Sequence, residues 1–260
     1  MMWSSYHGSG KNRDRYNITR QDTGRVFNML LLMFLMRKLF ALVIHKAGWI
    51  MESVLWPLRA PFCRIFLRKD SDQGMTIGIT TFKARYKHCF KPLLRKLAIL
   101  FPGSRIIVIA NGDVDQVAQE EYLGEIRRFV SRFGNVSLIS FREPRGLSFL
   151  WNTIMEHSKT PAVLMLNDDL RVKGSFRRFV MTSGLADSRI ATINNSWSHF
   201  VISTGVTDRV GLFDEGLTEV GGEDDDYLAR LAYAGEEAGN YMTRTISRKK
   251  PYRGRPPRIN

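Results

Sequence analysis

Short apolar runs alternate with amphipathic segments from residue 74 onwards. The runs "RIIVIA" and "PAVLML" have the length of a buried strand and are too short for a buried helix. Between the runs, apolar residues recur every three or four positions, which is typical of helices packed on one face. The pattern predicts strands at 74–82, 105–110, 135–141, 161–167, 190–195 and 199–205, and helices at 85–101, 117–133, 147–158, 175–184 and 223–235. Strands separated by helices of this length indicate βαβ crossovers and a mostly parallel sheet.

A longer apolar pattern of helical period lies nearer the start of the chain, at residues 26–57. Arg37 and Lys38 interrupt it before it reaches the ~20 apolar residues of a spanning helix. On a helix these two residues share one face with other basic side chains, and long apolar side chains occupy the opposite face. We therefore interpret residues 26–70 as an amphipathic, membrane-associating helical segment, held peripherally at the cytoplasmic face of an anionic membrane. The alternative is a helix that packs on the protein's own surface.

The positive charge of the chain is concentrated at its two ends. Of the net charge of +14, residues 1–70 carry +8, residues 241–260 carry +7 and residues 71–240 carry −1. We predict a disordered basic arm at 1–25, a folded domain at 71–240 and a basic tail at 241–260. Basic arms bind phosphate on an anionic membrane or on nucleic acid, so a nucleic-acid-binding protein is one alternative function.

Acidic side chains follow the predicted strand at 161–167. Asn167, Asp168 and Asp169 stand side by side, and two carboxylates at the end of a buried strand repel each other. Open parallel sheets bind ligands beyond the carboxyl ends of their strands. A hard divalent cation, Mg²⁺ or Mn²⁺, would relieve the repulsion because it prefers carboxylate and phosphate oxygens as ligands. A solvated acidic loop is the alternative interpretation.

A second acidic run opens the predicted helix at 223–235. It consists of two glycines and four acids: Gly221, Gly222, Glu223, Asp224, Asp225 and Asp226. The helix dipole favours acids at this end, but four in succession exceed what capping needs. The glycine pair lets the backbone approach another group closely. A carboxylate site separate from the metal site is what a two-substrate transfer reaction would use as general base.

Taken in order, these segments resemble the GT-A glycosyltransferases of family 2 over residues 74–240. "IGITTFKARY" is similar to that family's first strand and nucleotide loop, and "RIIVIANGDVD" to its second strand with a short acidic loop. "PRGLSFLWNTIM" resembles its glycine-containing segment, and "VLMLNDDLRV" stands at its DxD motif. The strongest match is "VGLFDEGLTEVGGEDDDYLARLAYAG", which resembles the Gly-x-Phe-Asp-Glu stretch and the later Glu-Asp motif. The resemblance implies a GT-A-like (Rossmann-like) α/β fold with a mostly parallel sheet flanked by helices.

The resemblance also implies a role for each matching residue. These roles are a nucleotide pocket at Thr80, Thr81 and Phe82; base or ribose contacts at Asn111 and Asp113; a sugar or diphosphate contact at Asn152; a further substrate contact at Asn167; metal ligands at Asp169 and Asp168; a general base at Asp224 with Glu223 beside it; and an acceptor floor at Gly221 and Gly222. The implied reaction is of the hexosyltransferase type. It moves a sugar from a nucleotide diphosphate to an acceptor hydroxyl with inversion, and uses Mn²⁺ or Mg²⁺. We expect a lipid-linked or surface glycan as acceptor.

Some positions depart from the family's pattern. Asn167 stands where the DxD motif has its first carboxylate, and Ala110 and Asn111 stand where the second strand often ends in a carboxylate. All five histidines precede the Glu-Asp motif, so the late histidine ligand of some GT-A enzymes is missing. A nucleotidyltransferase, which also uses paired carboxylates and Mg²⁺, is the alternative enzyme class, but it would lack a use for the second acidic site.

Overall fold

The computed structural model describes residues 35–36, 74–217 and 221–249. Leu35 and Met36 are helical, and both side chains are exposed. The remaining predictions for the N-terminal arm, the amphipathic segment and the end of the basic tail lie outside the described residues. Within the part of the chain that the structure describes, no helix is long and apolar enough to cross a membrane.

The strands and helices follow one another in regular alternation over the first half of the domain. The strands are β1 (Met75–Thr81), β2 (Ile106–Ala110), β3 (Val136–Ser140), β4 (Ala162–Asn167), β5 (Leu170–Val172), β6 (Ile190–Ile193), β7 (Ser196–Ser203), β8 (Gly239–Tyr241) and β9 (Ile246–Arg248). The α-helices are α1 (Lys91–Leu100), α2 (Gln116–Val130), α3 (Leu147–His157), α4 (Phe176–Thr182), α5 (Thr204–Val210) and α6 (Glu223–Tyr233). Shorter helical pieces are a single turn at Lys83–Arg85, a π-helical stretch at Tyr86–Phe90 and a 3₁₀ turn at Leu185–Asp187.

One seven-stranded sheet organises the domain, in the order β3-β2-β1-β4-β7-β6-β8. Strands β1 to β4 are parallel, β7 is antiparallel to both β4 and β6, and β8 is parallel to β6. Strands β5 and β9 form a separate antiparallel pair. The predicted α/β class, with a mostly parallel sheet flanked by helices, is confirmed. Strand order reverses between β1 and β4, and ligands of open sheets bind at the carboxyl ends beside such a reversal.

Apolar burial on both faces of the sheet explains why the short apolar runs form strands. Every side chain of β1 and β2 is buried. Helices α1 and α2 cover one face, and α3 and α6 pack on the other. The packing is close at Gly78 in β1, where a Cβ would lie 2.5 Å from Cγ2 of Ile154 in α3. This packing fixes where the strand ends of β1 and β4 stand.

All six predicted strands and all five predicted helices are present, with bounds shifted by a few residues. The prediction missed β5, β8, β9 and α5. A three-residue strand shows no alternation, because its pairing partner rather than its own sequence determines it. The predicted boundary at residue 240 lies inside β8, and residues 241–249 pair with the domain.

Candidate functional site

The carboxyl ends of β1 and β4 meet at one edge of the sheet, where Thr80 and Asn167 are register partners. One residue further on, Thr81 Oγ1 donates a hydrogen bond of 2.7 Å to Oδ2 of Asp168. Arg85, in the helical turn that follows β1, donates from Nη1 to Oδ1 of Asp168 over 3.1 Å. Both carboxylate oxygens of Asp168 are therefore bonded to protein.

Asp168 is buried, with only 1% of its surface exposed. Burial raises the pKa of Asp168 to about 6, although the charge of Arg85 and the hydrogen bonds from Thr81 and Arg85 oppose the increase. The structure thus places this predicted metal ligand inside the fold, where it joins the ends of β1 and β4 to Arg85.

Asp169 differs from its neighbour because one of its oxygens has no partner. Oδ2 lies 3.5 Å from Nη1 of Arg85 and 4.0 Å from Nε of Arg248. Oδ1 is buried and accepts no hydrogen bond from any residue that the structure describes. Buried polar atoms are almost always satisfied, so an unpartnered carboxylate oxygen indicates a position where a ligand or ion completes the site.

His199 lies on β7 beside the end of β4, where it is the register partner of Leu166. Its side chain is buried, and among the described residues neither ring nitrogen makes a hydrogen bond of good geometry, although the backbone of Ser198 interacts with the ring weakly enough to oppose only part of the pKa shift. Burial lowers the pKa of His199 to about 4; the charge of Arg248 adds to the decrease and that of Asp169 opposes it. The imidazole is therefore neutral at pH 7.

The sequence-based prediction of the site did not include His199 or Arg248. His199 precedes the Glu-Asp motif in the sequence. It nevertheless lies next to the carboxylates, because β7 runs antiparallel to β4. Its signal in the sequence is the alternation of "SHFVIS", which assigns positions 199 and 201 to one face of a strand. Arg248 reaches the site through β9, a strand too short to recognise.

The loop after β2 is held to the loop after β3. Asn111 accepts hydrogen bonds of 2.9 Å at Oδ1 from the backbone N–H groups of Gly112 and Arg145, and its Nδ2 donates to the Arg145 carbonyl over 3.0 Å. Gly112 has no room for a side chain, because a Cβ would lie 2.0 Å from the carbonyl carbon of Glu143. Asn111 therefore shapes the loop, and Asp113 follows it as a half-buried side chain.

Two further residues of the predicted nucleotide pocket stand at the end of β1. Thr80 is 8% exposed, so little of its surface is available to a ligand. Phe82 is half-buried, and the guanidinium of Arg85 lies 5.0 Å from its ring centroid. The strand end thus offers a partly exposed aromatic face beside a cation.

Asn152 on α3 binds the loop that leads towards the second acidic run. Its Nδ2 donates to the Phe213 carbonyl over 2.9 Å and to Oε1 of Glu215 over 2.8 Å, and its Oδ1 accepts from the Phe213 N–H over 3.0 Å. The side chain is buried and its hydrogen-bonding groups are used. In the structure, this predicted sugar contact forms the hydrogen bonds that join α3 to the loop.

The second acidic run forms the first turn of α6. Gly221 and Gly222 have φ values of +109° and +100°, which only glycine adopts without strain. Glu223 is buried, and its Oε2 accepts a hydrogen bond of 2.8 Å from the Gly221 N–H. Asp226 pairs with Arg230 at 2.7 Å. Asp224 is half-buried and Asp225 exposed, and within the described residues no hydrogen bond or ion pair engages either carboxylate.

The carboxylates at the end of β4 fit a divalent cation that takes its remaining ligands from water and substrate. Among the described residues, no three histidine, cysteine, aspartate or glutamate side chains are gathered closely enough to hold a metal by themselves. Mg²⁺ and similar ions usually bind through one or two carboxylates, with water and substrate phosphate as the other ligands. The unpartnered Oδ1 of Asp169 meets that requirement.

Comparison with known proteins identifies the fold. No protein-family model matches the sequence, and no curated protein does. The mannosyltransferase PcManGT from Pyrobaculum calidifontis, solved in complex with GDP-Man and Mn²⁺, is similar at a TM-score of 0.55 and 13% identity, over 82% of this chain and 68% of that chain. S. aureus TarS 1–349 is similar at a TM-score of 0.45 and 13% identity, over 65% of this chain and 57% of that chain. The chain has a GT-A-like glycosyltransferase fold, as the sequence motifs predicted.

Proposed function

We propose that the protein is a glycosyltransferase of the hexosyltransferase type that moves a sugar from a nucleotide diphosphate to an acceptor hydroxyl. The observation that carries the proposal is the unpartnered, buried Oδ1 of Asp169 at the end of β4, in a GT-A-like sheet with a second carboxylate run on α6. The GDP-Man bound to PcManGT supports a nucleotide sugar as donor.

The donor lies against the carboxyl ends of β1 and β2 in this proposal. Phe82 packs against the base, and Asp113 binds the base or ribose. Thr81 and Asn111 act by shaping this surface, since their side chains already bond to Asp168 and to the loop after β3. The specificity for one base then depends on the few groups that remain free at this edge.

Asp169 would hold the cation, Mn²⁺ or Mg²⁺, against the donor diphosphate. When bound, the cation supplies positive charge that neutralises the diphosphate and the leaving nucleotide. Asp168 keeps its neighbour in place through the hydrogen bonds with Thr81 and Arg85. The Mn²⁺ bound to PcManGT supports this assignment.

Asp224 would accept the proton of the acceptor hydroxyl. In an inverting transfer the acceptor oxygen attacks the anomeric carbon on the face opposite the diphosphate, so the base must stand apart from the metal-binding carboxylates. Asp224 has no partner that competes for the proton within the described residues. Glu223 orients the turn, because it is buried and bonded to the Gly221 N–H. Gly221 and Gly222 leave the acceptor open space, since a Cβ at either position would meet no atom of the described residues within 4 Å.

The acceptor in this proposal is a lipid-linked or surface glycan, and the protein works at the cytoplasmic face of a membrane. The basic amphipathic pattern of residues 26–57 supports this placement, because such a segment binds anionic lipid. A peripheral position would bring the site close to a lipid-linked substrate.

The proposal is tested with a panel of nucleotide sugars, incubated with Mn²⁺ and assayed for release of the nucleoside diphosphate. Release from one donor, together with a nucleotide-dependent rise in melting temperature, is the expected result. In a parallel assay with nucleoside triphosphates and a sugar 1-phosphate, release of pyrophosphate would favour a nucleotidyltransferase. DNA or RNA retardation with a steep dependence on salt, and no effect of nucleotides, would favour a nucleic-acid-binding protein.

A further inference from the structure

Strand β9 brings the basic C-terminal part of the described chain to the carboxylates. It pairs with β5 so that Leu170 faces Arg248, Arg171 faces Ser247 and Val172 faces Ile246. Strand β5 begins directly after Asp169. The pairing therefore fixes Arg248 beside the end of β4, and burial of Ile246 in the core stabilises it there.

Lys249 fastens the end of β9 at two points. Its backbone N–H donates a hydrogen bond of 2.6 Å to the Asp169 carbonyl. Its Nζ donates to the carbonyl of His88 in the π-helical stretch that follows Arg85. The chain on either side of Arg248 is thus held, while the Arg248 side chain remains 61% exposed.

The Arg248 guanidinium lies close to the Asp169 carboxylate but forms no hydrogen bond with it. Its Nε lies 4.0 Å from Oδ2 of Asp169, which is ion-pair distance but too long for a hydrogen bond. Arg85 approaches the same oxygen to 3.5 Å. Arg85 makes its hydrogen bond to Asp168 instead, so Asp169 is the carboxylate that faces Arg248. Because that contact is too long for a hydrogen bond, the N–H donors of Arg248 remain available to a ligand.

Several buried polar atoms of this cluster lack a hydrogen-bond partner. They belong to three side chains that surround the end of β4: Arg85 Nε, Asp169 Oδ1, His199 Nδ1 and His199 Nε2. Unsatisfied buried groups are rare in folded proteins and cost free energy. Arg85 Nε and the protonated ring nitrogen of His199 are hydrogen-bond donors, which suit phosphate oxygens, whereas Asp169 Oδ1 is an acceptor, which suits a cation.

We propose that Arg248 binds the diphosphate of the donor and stabilises the nucleotide that leaves. The inference rests on the proposed function and assigns a substrate contact to a residue outside its carboxylates. A guanidinium presents two parallel N–H donors that match two phosphate oxygens. As the bond between the anomeric carbon and the phosphate oxygen breaks, that oxygen keeps the electron pair, and Arg248 donates hydrogen bonds to the increased charge.

The test compares Arg248→Gln with the parent and with Arg244→Gln. Arg244 is exposed, lies in the same C-terminal segment and carries the same charge, so it controls for the loss of one cation. Calorimetry measures the affinity for UDP, GDP, UMP and GMP, in Mn²⁺ and in EDTA. Melting temperatures of all three proteins establish that they are folded.

Arg248→Gln should weaken binding of the preferred nucleoside diphosphate at least tenfold, and change the affinity for the monophosphate less. The loss should persist in EDTA, because the contact is made by the protein. Arg248→Lys should recover only part of it, since an ammonium cannot bind two oxygens in the same way. Arg244→Gln should bind like the parent.

The possible failures are distinguishable. If the parent binds a nucleoside diphosphate and Arg248→Gln binds it equally well, the inference is overturned and the proposed function stands. An equal loss in Arg244→Gln would also overturn it, because the effect would be one of net charge. If the parent binds neither nucleotide under either condition, the proposed function falls and this inference with it.

Discussion

The hydroxyl of Thr81 donates a 2.7 Å hydrogen bond to the buried carboxylate of Asp168, which joins the ends of two adjacent strands across 87 positions of sequence. Asp168 receives its second hydrogen bond from Arg85. The aspartate that the sequence presents as one of two equivalent ligands is thereby a structural part of the sheet edge. Only its neighbour retains an oxygen for a ligand.

Thr81→Val should destabilise the protein while keeping its shape. The variant removes the hydroxyl that bonds a buried, ionised carboxylate, and hydrogen bonds to charged groups contribute about 1.5–3 kcal/mol. We expect a decrease in the free energy of unfolding of about 2 kcal/mol in urea titrations. Thr207→Val is the matched control, since its hydroxyl donates to an uncharged group, the Thr204 carbonyl in α5. Equal losses in the two variants would contradict a special role for the Thr81–Asp168 bond.

Asp169→Ala should lose the metal-dependent part of nucleotide affinity. The variant removes the carboxylate oxygen that is unpartnered at this edge among the described residues. We expect the enhancement of UDP or GDP binding by Mn²⁺ to fall at least tenfold, as measured by calorimetry and by Mn²⁺ electron paramagnetic resonance. Asp208→Ala, on the exposed side of α5, is the control. Retention of full Mn²⁺ enhancement by the Asp169 variant would rule out this metal ligand.

Asp224→Asn should reduce turnover and leave donor binding intact. The amide keeps the shape of the side chain but does not accept a proton from the acceptor. A positioned acid or base contributes roughly 10²–10⁴-fold to the rate, so a loss in this range is expected in steady-state assays. Asp225→Asn, at the exposed neighbouring position of the same turn, should remain active. Inactive Asp225→Asn with active Asp224→Asn would move the base to the other acid.

The stability of the protein should depend on pH through His199. The unfolded chain protonates a histidine near pH 6.5, whereas in the folded protein burial holds the pKa of His199 at about 4. Between these values the unfolded state binds more protons, so the free energy of unfolding falls as the pH is lowered from 6.5 to 4. The loss attributable to His199 is up to roughly 3 kcal/mol.

His199→Asn isolates this effect from that of Asp168. Because the pKa of Asp168 is raised to about 6, its contribution to stability is lost as the pH rises through 6, which is the opposite trend. Subtracting the variant's unfolding profile from the parent's removes the Asp168 contribution. A difference that stays constant between pH 7 and pH 4 would show that His199 does not remain neutral in the fold.

Charge reversal at Arg37, Lys38 and Lys46 should release the protein from anionic vesicles. Each basic residue near an anionic surface contributes about 1 kcal/mol to binding, so the three together should dominate the electrostatic part. Vesicle flotation of the full chain measures the effect. The control reverses three exposed arginines of the folded domain, Arg127, Arg171 and Arg178. Unchanged flotation of the first variant would show that this segment is not the anchor.

The sequence alone predicts the sheet well, because its central strands are buried on both faces. The short apolar runs of β2 and β4 are stable only as strands buried inside a sheet. The acids that follow β4 then indicate the edge of the sheet where ligands bind. The same reasoning does not distinguish the structural role of Asp168 from the ligand-binding role of Asp169. Strand alternation predicts the face to which each side chain points, but not the residues with which it forms hydrogen bonds. The difference depends on Arg85 and Thr81, which only the packing of β1 against β4 brings near.

Other residues of the site depend on tertiary pairing that carries no local signal. The family resemblance implies a substrate contact at Asn152, whereas in the structure its amide forms hydrogen bonds with the Phe213–Glu215 loop. His199 joins the site because β7 returns antiparallel to β4. Arg248 does so because three residues of β9 pair with β5.

Strand β9 is also the last described strand that a ribosome synthesises. A nascent chain that has emerged as far as β8 already contains every strand of the main sheet and both acidic segments. Asp169 still lacks its contacts with Arg248 and Lys249, which follow later in the chain. Completion of the site therefore follows completion of the sheet in time. A protease cut between Tyr241 and Ile246, followed by loss of the fragment that carries β9, would leave the strands of the main sheet in one chain and remove Arg248 from the site.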